Sequence, residues 1–120
     1  MLISTHFQKF FFGVVCPQIV EKALERGKPM MYQHPLTKEW YLIDLNNIPP
    51  EEIYQLFKLI NPYYPKYNNL LPVSTKILDS KQLTEHIKWI ERWVNENGIE
   101  LPYIAEEWER VMREAGIVKD

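Results

Sequence analysis

The residues from Asp79 to Gly98 constrain this chain more than any others. Asp79-Ser80-Lys81-Gln82 has the form of a capping box: the Asp79 carboxylate accepts the third helical amide while Gln82 reaches back to the Asp79 N–H. Behind the box, Leu83, Ile87, Ile90 and Val94 recur at helical spacing. His86, Trp89 and Trp93 widen the apolar arc to roughly 160°, against about 100° for the stripe of an ordinary surface helix. Such a helix is central, or it serves two surfaces. Asn97-Gly98 supplies its stop.

The elements around it follow from local signals. A first helix is expected from Thr5 to Arg26, with Phe10, Val14, Val20 and Leu24 on its apolar line. Pro17 falls inside it and predicts a kink or break, because proline removes a donor and clashes with the preceding turn. Met30–Gln33 and Glu39–Asp44 flank the turn His34-Pro35-Leu36-Thr37-Lys38 and predict a β-hairpin. A lone hairpin is marginal in water, so it must pack on a helix or pair with a further strand, which a partner chain could supply. Pro49-Pro50-Glu51-Glu52 starts a helix that Asn61-Pro62 ends, with Ile53, Leu56, Phe57 and Ile60 on one face. Tyr63 to Pro72 reads as an irregular connector pinned by its tyrosines. A last helix carries Ile104, Trp108, Val111, Met112 and Ala115 and stops at Gly116.

With 120 residues, this is one domain's worth of chain. The expected fold is α+β, a mainly helical single domain over 1–120 with one β-hairpin. Its parts are a helix region at 1–27, the hairpin at 30–44, a helix at 49–61, and a Ser-Thr element with two C-terminal helices at 74–116. A net charge of −2 argues against a generic polyanion binder, so nucleic-acid binding needs a local basic patch or one built across subunits. The single cysteine, Cys16, excludes an intrachain disulfide and lies in an apolar run. Apolar runs are too short to span a bilayer, and the start lacks the pattern of a secretory leader. A cytoplasmic, soluble protein without membrane attachment is expected.

Two ordered stretches carry a resemblance. Thr5-His6-Phe7-Gln8-Lys9-Phe10-Phe11-Phe12-Gly13-Val14-Val15 is similar to a Ser-x-x-Gln-Asn motif followed by aromatics and Gly-Val-Val. Ser74-Thr75-Lys76-Ile77-Leu78, the Leu83–Trp93 helix and Gly98-Ile99-Glu100-Leu101-Pro102 form the second. Together they resemble the phage Orf/NinB-like recombination proteins. Lys9 stands where that family usually has Asn, and Gln82 where an acidic residue is common. The family's strand-rich N-terminal segment is missing, and the hairpin looks like an insertion. The resemblance implies a homodimer that binds single-stranded DNA and cooperates with single-strand-binding protein in the host cytoplasm.

The candidate DNA-binding residues are Gln8, Lys9, Lys66, Lys76, Lys81, Lys88 and Arg92. Lys81, Lys88 and Arg92 share one direction of the helical wheel and could neutralise phosphates. Glu85, Glu91 and Glu96 flank them, and a solvated face with i,i+4 pairing explains the same residues. Lys76 sits beside hydroxyl and backbone donors in the Ser-Thr element, where Ser74 and Thr75 equally suit a turn. Gln8 suits either DNA contact or a backbone hydrogen bond. Tyr63–Tyr67, with Lys66, could stack bases or pin the loop. Trp89 and Trp93 are interface candidates, with burial in the monomer as the competing account.

Nothing in the chain points to catalysis. His6, His34 and His86 lack metal-ligand spacing, and an HNH-type nuclease would need paired Cys and His residues that are absent. Glu51-Glu52 and Glu106-Glu107 sit at helix N-termini, where the dipole explains them. The expectation is a non-enzyme with no cofactor, no metal and no catalytic residue. A second reading, from another class, is a phage or mobile-element protein that blocks a host defence protein, in the manner of an anti-CRISPR factor. A bare dimerisation module is the third.

Overall fold

A computed structural model of the chain describes residues 2–68 and 70–117, so Asn69 of the connector lies outside the described residues. The order is α1 (Ile3–Phe10), a π-helical turn (Phe11–Val15), α2 (Cys16–Arg26), β1 (Met30–Gln33) and β2 (Trp40–Ile43). A 3-10 turn at Leu45–Asn47 leads to α3 (Pro50–Ile60). Next come β3 (Lys66–Tyr67), β4 (Leu71–Pro72), a 3-10 turn at Thr75–Ile77, α4 (Ser80–Glu96) and α5 (Ile104–Glu114). The fold is α+β and mainly helical, as expected. The connector adds something unforeseen: β3 and β4 pair antiparallel as a second, minimal hairpin.

α4 is central. Leu83, Ile87, Ile90 and Val94 are buried, and the helix packs against both α5 and α1. Its start is the full capping box: Gln82 N–H donates to Asp79 Oδ1 at 2.8 Å, and Asp79 N–H donates to Gln82 Oε1 at 3.0 Å. Its end is a Schellman motif, in which Ile99 N–H reaches Val94 C=O and Gly98 N–H reaches Asn95 C=O. Gly98 holds φ of 87° there, a left-handed conformation costly for any residue with a Cβ. Replacing Asp79 by alanine is expected to cost about 1 kcal/mol. Urea midpoints would register it, and no change would mean that α4 is held by packing alone.

The N-terminal helices show how proline is absorbed. The π-helical turn lies just before Pro17, in the first turn of α2; Val15 and Cys16 are helical as well, so the chain does not break there, and the widened turn absorbs the donor that proline lacks. The extra residue of the π-turn rotates the apolar line. Phe7, Phe10, Phe11, Val15, Cys16, Ile19 and Ala23 are buried, whereas Leu24, expected in the core, is 64% exposed. Uniform 3.6-residue spacing carried past the π-turn put the wrong residues inside. Helix α1 also starts at Ile3 rather than Thr5.

Trp108 of α5 is the hub of the core. It is fully buried, meets Phe7 edge-on at 5.6 Å and Phe10 at 5.5 Å, and donates its indole N–H to Thr84 Oγ1 at 3.0 Å. Cys16 is buried, and burial raises its thiol pKa, as suits an inert packing residue. The β1–β2 hairpin hangs on this body through buried Met30 and half-buried Tyr32 and Ile43. Among the described residues, no helix is long and apolar enough to cross a membrane.

Candidate nucleic-acid interface

The end of α3 and the first half of α4 build a trough between them. Asn61 caps α3, and Pro62 turns the chain so that Tyr63 and Tyr64 point in different directions. Tyr64 is buried: its hydroxyl donates to Val73 C=O at 2.7 Å and its ring meets His86 at 4.8 Å. Tyr63 is 77% exposed. A cavity of about 410 Å³ is lined by Asn61, Tyr63, Tyr64, Pro65 and, from α4, Lys81, Gln82, Glu85 and His86. A second, of about 320 Å³, is lined by Tyr63, Glu85, Lys88, Trp89 and Arg92. Tyr63 and Glu85 line both, so the two form one trough along α4. From Lys81 to Arg92 it extends roughly 16 Å.

Its floor is polar and uncharged. Asn61 Oδ1 accepts the Tyr63 N–H at 2.9 Å, which orients the amide so that Nδ2 donates to His86 Nδ1 at 2.9 Å. The imidazole is therefore neutral, with its proton on Nε2. Burial, with the nearby charges of Lys58 and Lys66, pushes the His86 pKa down to about 3. Lys58 is itself buried, its ammonium 5.3 Å from the Tyr54 ring centroid and 5.6 Å from that of Tyr64. Burial lowers its pKa, and Glu51 opposes that shift.

The rim carries the charge. Lys81, Lys88 and Arg92 are exposed and face the trough together with one carboxylate, Glu85. Glu91, which flanks the cations on a helical wheel, is drawn the other way: its Oε1 accepts the Ala105 N–H at 3.3 Å. Tyr103, the residue before α5, offers no side-chain cap, so a carboxylate from α4 takes that place at the positive end of the helix. Glu96 lies instead beside Trp93 and Asn97, in a groove under the hairpin.

The other candidates separate. Lys66 is half-buried, and its ammonium donates to the carbonyls of Asn61 at 2.7 Å and Tyr64 at 3.2 Å, which clamps the connector beneath the trough. Gln8 is half-buried beside the Tyr54 hydroxyl. Thr75 is buried against that hydroxyl at 2.8 Å, and Ser74 Oγ accepts the Lys76 N–H at 3.2 Å. The Ser-Thr element is thus a packed turn. Lys76 and Lys9 are exposed but do not line the trough. Trp89 is buried and Trp93 half-buried, stacked on each other at 6.1 Å with Phe57 against both. Of the connector's tyrosines, Tyr64 pins the loop, while Tyr63 and Tyr67 face solvent.

Sequence reasoning missed Asn61, Gln82 and His86 as trough residues and Lys58 as a buried cation. Asn61 carried a weak signal as the residue at a Pro-terminated helix end, where a side chain must satisfy loop amides. Lys58 carried none. Among the described residues, no group of three His, Cys, Asp or Glu side chains is placed to hold a metal ion. Comparison with known proteins finds no matching family model, no matching curated protein and no matching solved structure.

Proposed function

We propose that this protein is a non-catalytic, single-stranded DNA-binding accessory factor of the recombination type that its sequence resembles, acting in the cytoplasm. The observation that carries the reading is the trough: three exposed cations on one helix face, with a solvent-exposed tyrosine shared by both halves of the cavity. Cations neutralise phosphates, and an exposed ring offers a platform to any base. The removal of Glu91 to the α5 terminus favours phosphate over a self-compensated solvated face. The neutral floor of Asn61 and His86 presents no charge to repel a phosphate or to compete for the cations. In this reading the protein works beside single-strand-binding protein on the same DNA and helps a recombinase gain access.

The test is fluorescence anisotropy with a labelled single-stranded oligonucleotide across a salt series. Three phosphate contacts give log K against log salt a slope of about −2, at ~0.7 per contact on a single strand. Tyr63→Ala is expected to lose about 1–3 kcal/mol of binding, the worth of one stacked base. Lys88→Glu with Arg92→Glu should flatten the salt slope. A flat baseline at low salt would sink the proposal and direct the search to a protein target such as a host defence factor.

A further inference from the structure

The β1–β2 hairpin has an unfinished outer strand. Its register pairs Met30 with Ile43, Met31 with Leu42, Tyr32 with Tyr41 and Gln33 with Trp40. Side chains on one face, from Met30, Tyr32 and Ile43, reach the body, and Tyr41 stacks on Tyr32 at 5.6 Å. On the opposite face Leu42 is 68% exposed, and Met31 at 48% and Trp40 at 60% are partly open along the groove they share with Trp89 and Trp93. Strand β2 is Trp-Tyr-Leu-Ile, with no charge, proline or bulge within it to discourage pairing.

The ladder phase shows which backbone groups are left over. His34 N–H donates to Glu39 C=O at 2.9 Å next to the turn. Antiparallel rungs alternate between bonded and non-bonded pairs, so the next bonded pairs inward are Tyr32 with Tyr41 and Met30 with Ile43. The N–H and C=O groups of Trp40 and Leu42 therefore point away from β1. The residues with the most exposed apolar side chains on β2 are also those with outward-facing backbone groups.

We propose that β2 pairs antiparallel with β2 of a second copy of this chain, joining two hairpins into one four-stranded sheet about a two-fold axis. Trp40 of each copy lies opposite the partner's Leu42, and Tyr41 sits on the axis opposite the partner's Tyr41. This register bonds the outward groups of Trp40 and Leu42 and places large apolar side chains opposite each other on one face. A slip of one rung toward the C-terminus would put Trp40 opposite the partner's Asp44. Met31, Trp40, Tyr41 and Leu42 together expose about 450 Å² of side chain per copy, counting a fully exposed aromatic as about 200 Å². Covering all of it together with the backbone edge would bring the pair to roughly 1,000 Å², the lower bound for a specific interface. A self-complementary patch gives a closed dimer, the commonest symmetry among oligomers. The inference does not depend on DNA binding.

Sedimentation of the full chain, without DNA, tests it. A reversible dimer is expected, and Leu42→Lys should weaken it at least ten-fold with the circular dichroism spectrum unchanged and the thermal midpoint unchanged in dilute protein, where both chains are monomeric. Disulfide trapping tests the register: Tyr41→Cys puts two thiols across a non-bonded pair on the axis, close enough to oxidise to a covalent dimer. Trp40→Cys leaves its thiols two residues apart along the ladder and should cross-link far more slowly. A wild-type chain that stays monomeric at about 200 μM, well above the dissociation constant of a specific micromolar dimer, overturns the proposal. So does a dimer indifferent to Leu42→Lys, or equal cross-linking of the two cysteine variants.

Discussion

Trp108→Ala is expected to remove about 3–5 kcal/mol of folding stability, the usual cost of emptying a large aromatic site in a core. The indole joins three elements at once: it packs against Phe7 and Phe10 from α1 and bonds Thr84 on α4 while belonging to α5. No neighbour is placed to fill the hole, because Phe7 is itself held by Phe11, Tyr54 and His86. Domains of this size have about 5–15 kcal/mol of stability in total, so the variant should be marginal at 25 °C. Trp108→Phe keeps most of the ring and loses the N–H to Thr84. It should cost about 1–2 kcal/mol for the hydrogen bond and the missing atoms. Urea titration of the three proteins orders them. A loss below about 1 kcal/mol for Trp108→Ala would show that α5 is peripheral to the core.

Acid should unfold this protein through His86. The folded imidazole has its pKa pushed down to about 3, against about 6.5 in an unfolded chain. Below pH 6.5 the unfolded state takes up a proton that the folded state refuses. Stability is therefore complete above that point and falls as pH drops toward 3. Each unit in that window costs about 1.4 kcal/mol, so several kcal/mol are at stake. The cause is structural: burial excludes the water that would solvate an imidazolium, Lys58 and Lys66 repel it, and Nδ1 is occupied as an acceptor of the Asn61 amide. Proton NMR should show the His86 ring failing to titrate between pH 7 and pH 4 in the folded protein. Denaturation at successive pH values should show a shallower acid slope for His86→Gln than for wild type. Equal slopes would mean that another group controls acid unfolding.

Local chemistry was legible in the sequence. The capping box at Asp79 and Gln82, the Gly98 stop, the hairpin registered around His34–Lys38 and the Pro-marked ends of α3 depend on neighbours within a few residues. They form as read. The core line of α4 was readable for the same reason, since a periodic helix states its own inward face. The line of the first helix was not. A π-turn inserts one residue between two correctly periodic halves, and only the demand to seat Pro17 while packing Phe11 and Val15 fixes where it goes.

The candidate site divides along the same boundary. Lys81, Lys88 and Arg92 share a direction because all three ride one helix. Whether that direction was a balanced solvated face depended on Glu91, whose carboxylate is taken by the start of α5, fourteen residues along the chain. Tyr63 and Tyr64 are adjacent and alike in sequence, yet one is buried against Val73 and His86 and the other is an exposed platform. Lys66 and Lys76 looked equivalent as cations, but Lys66 spends its donors on two loop carbonyls. Elements whose hydrogen bonds close within a turn of helix or a tight hairpin were determined by the sequence alone. Which charges remain free, which aromatics face water and which cations turn inward were decided only by the packing of α3, α4 and α5, because burial and partnering depend on residues distant in the chain.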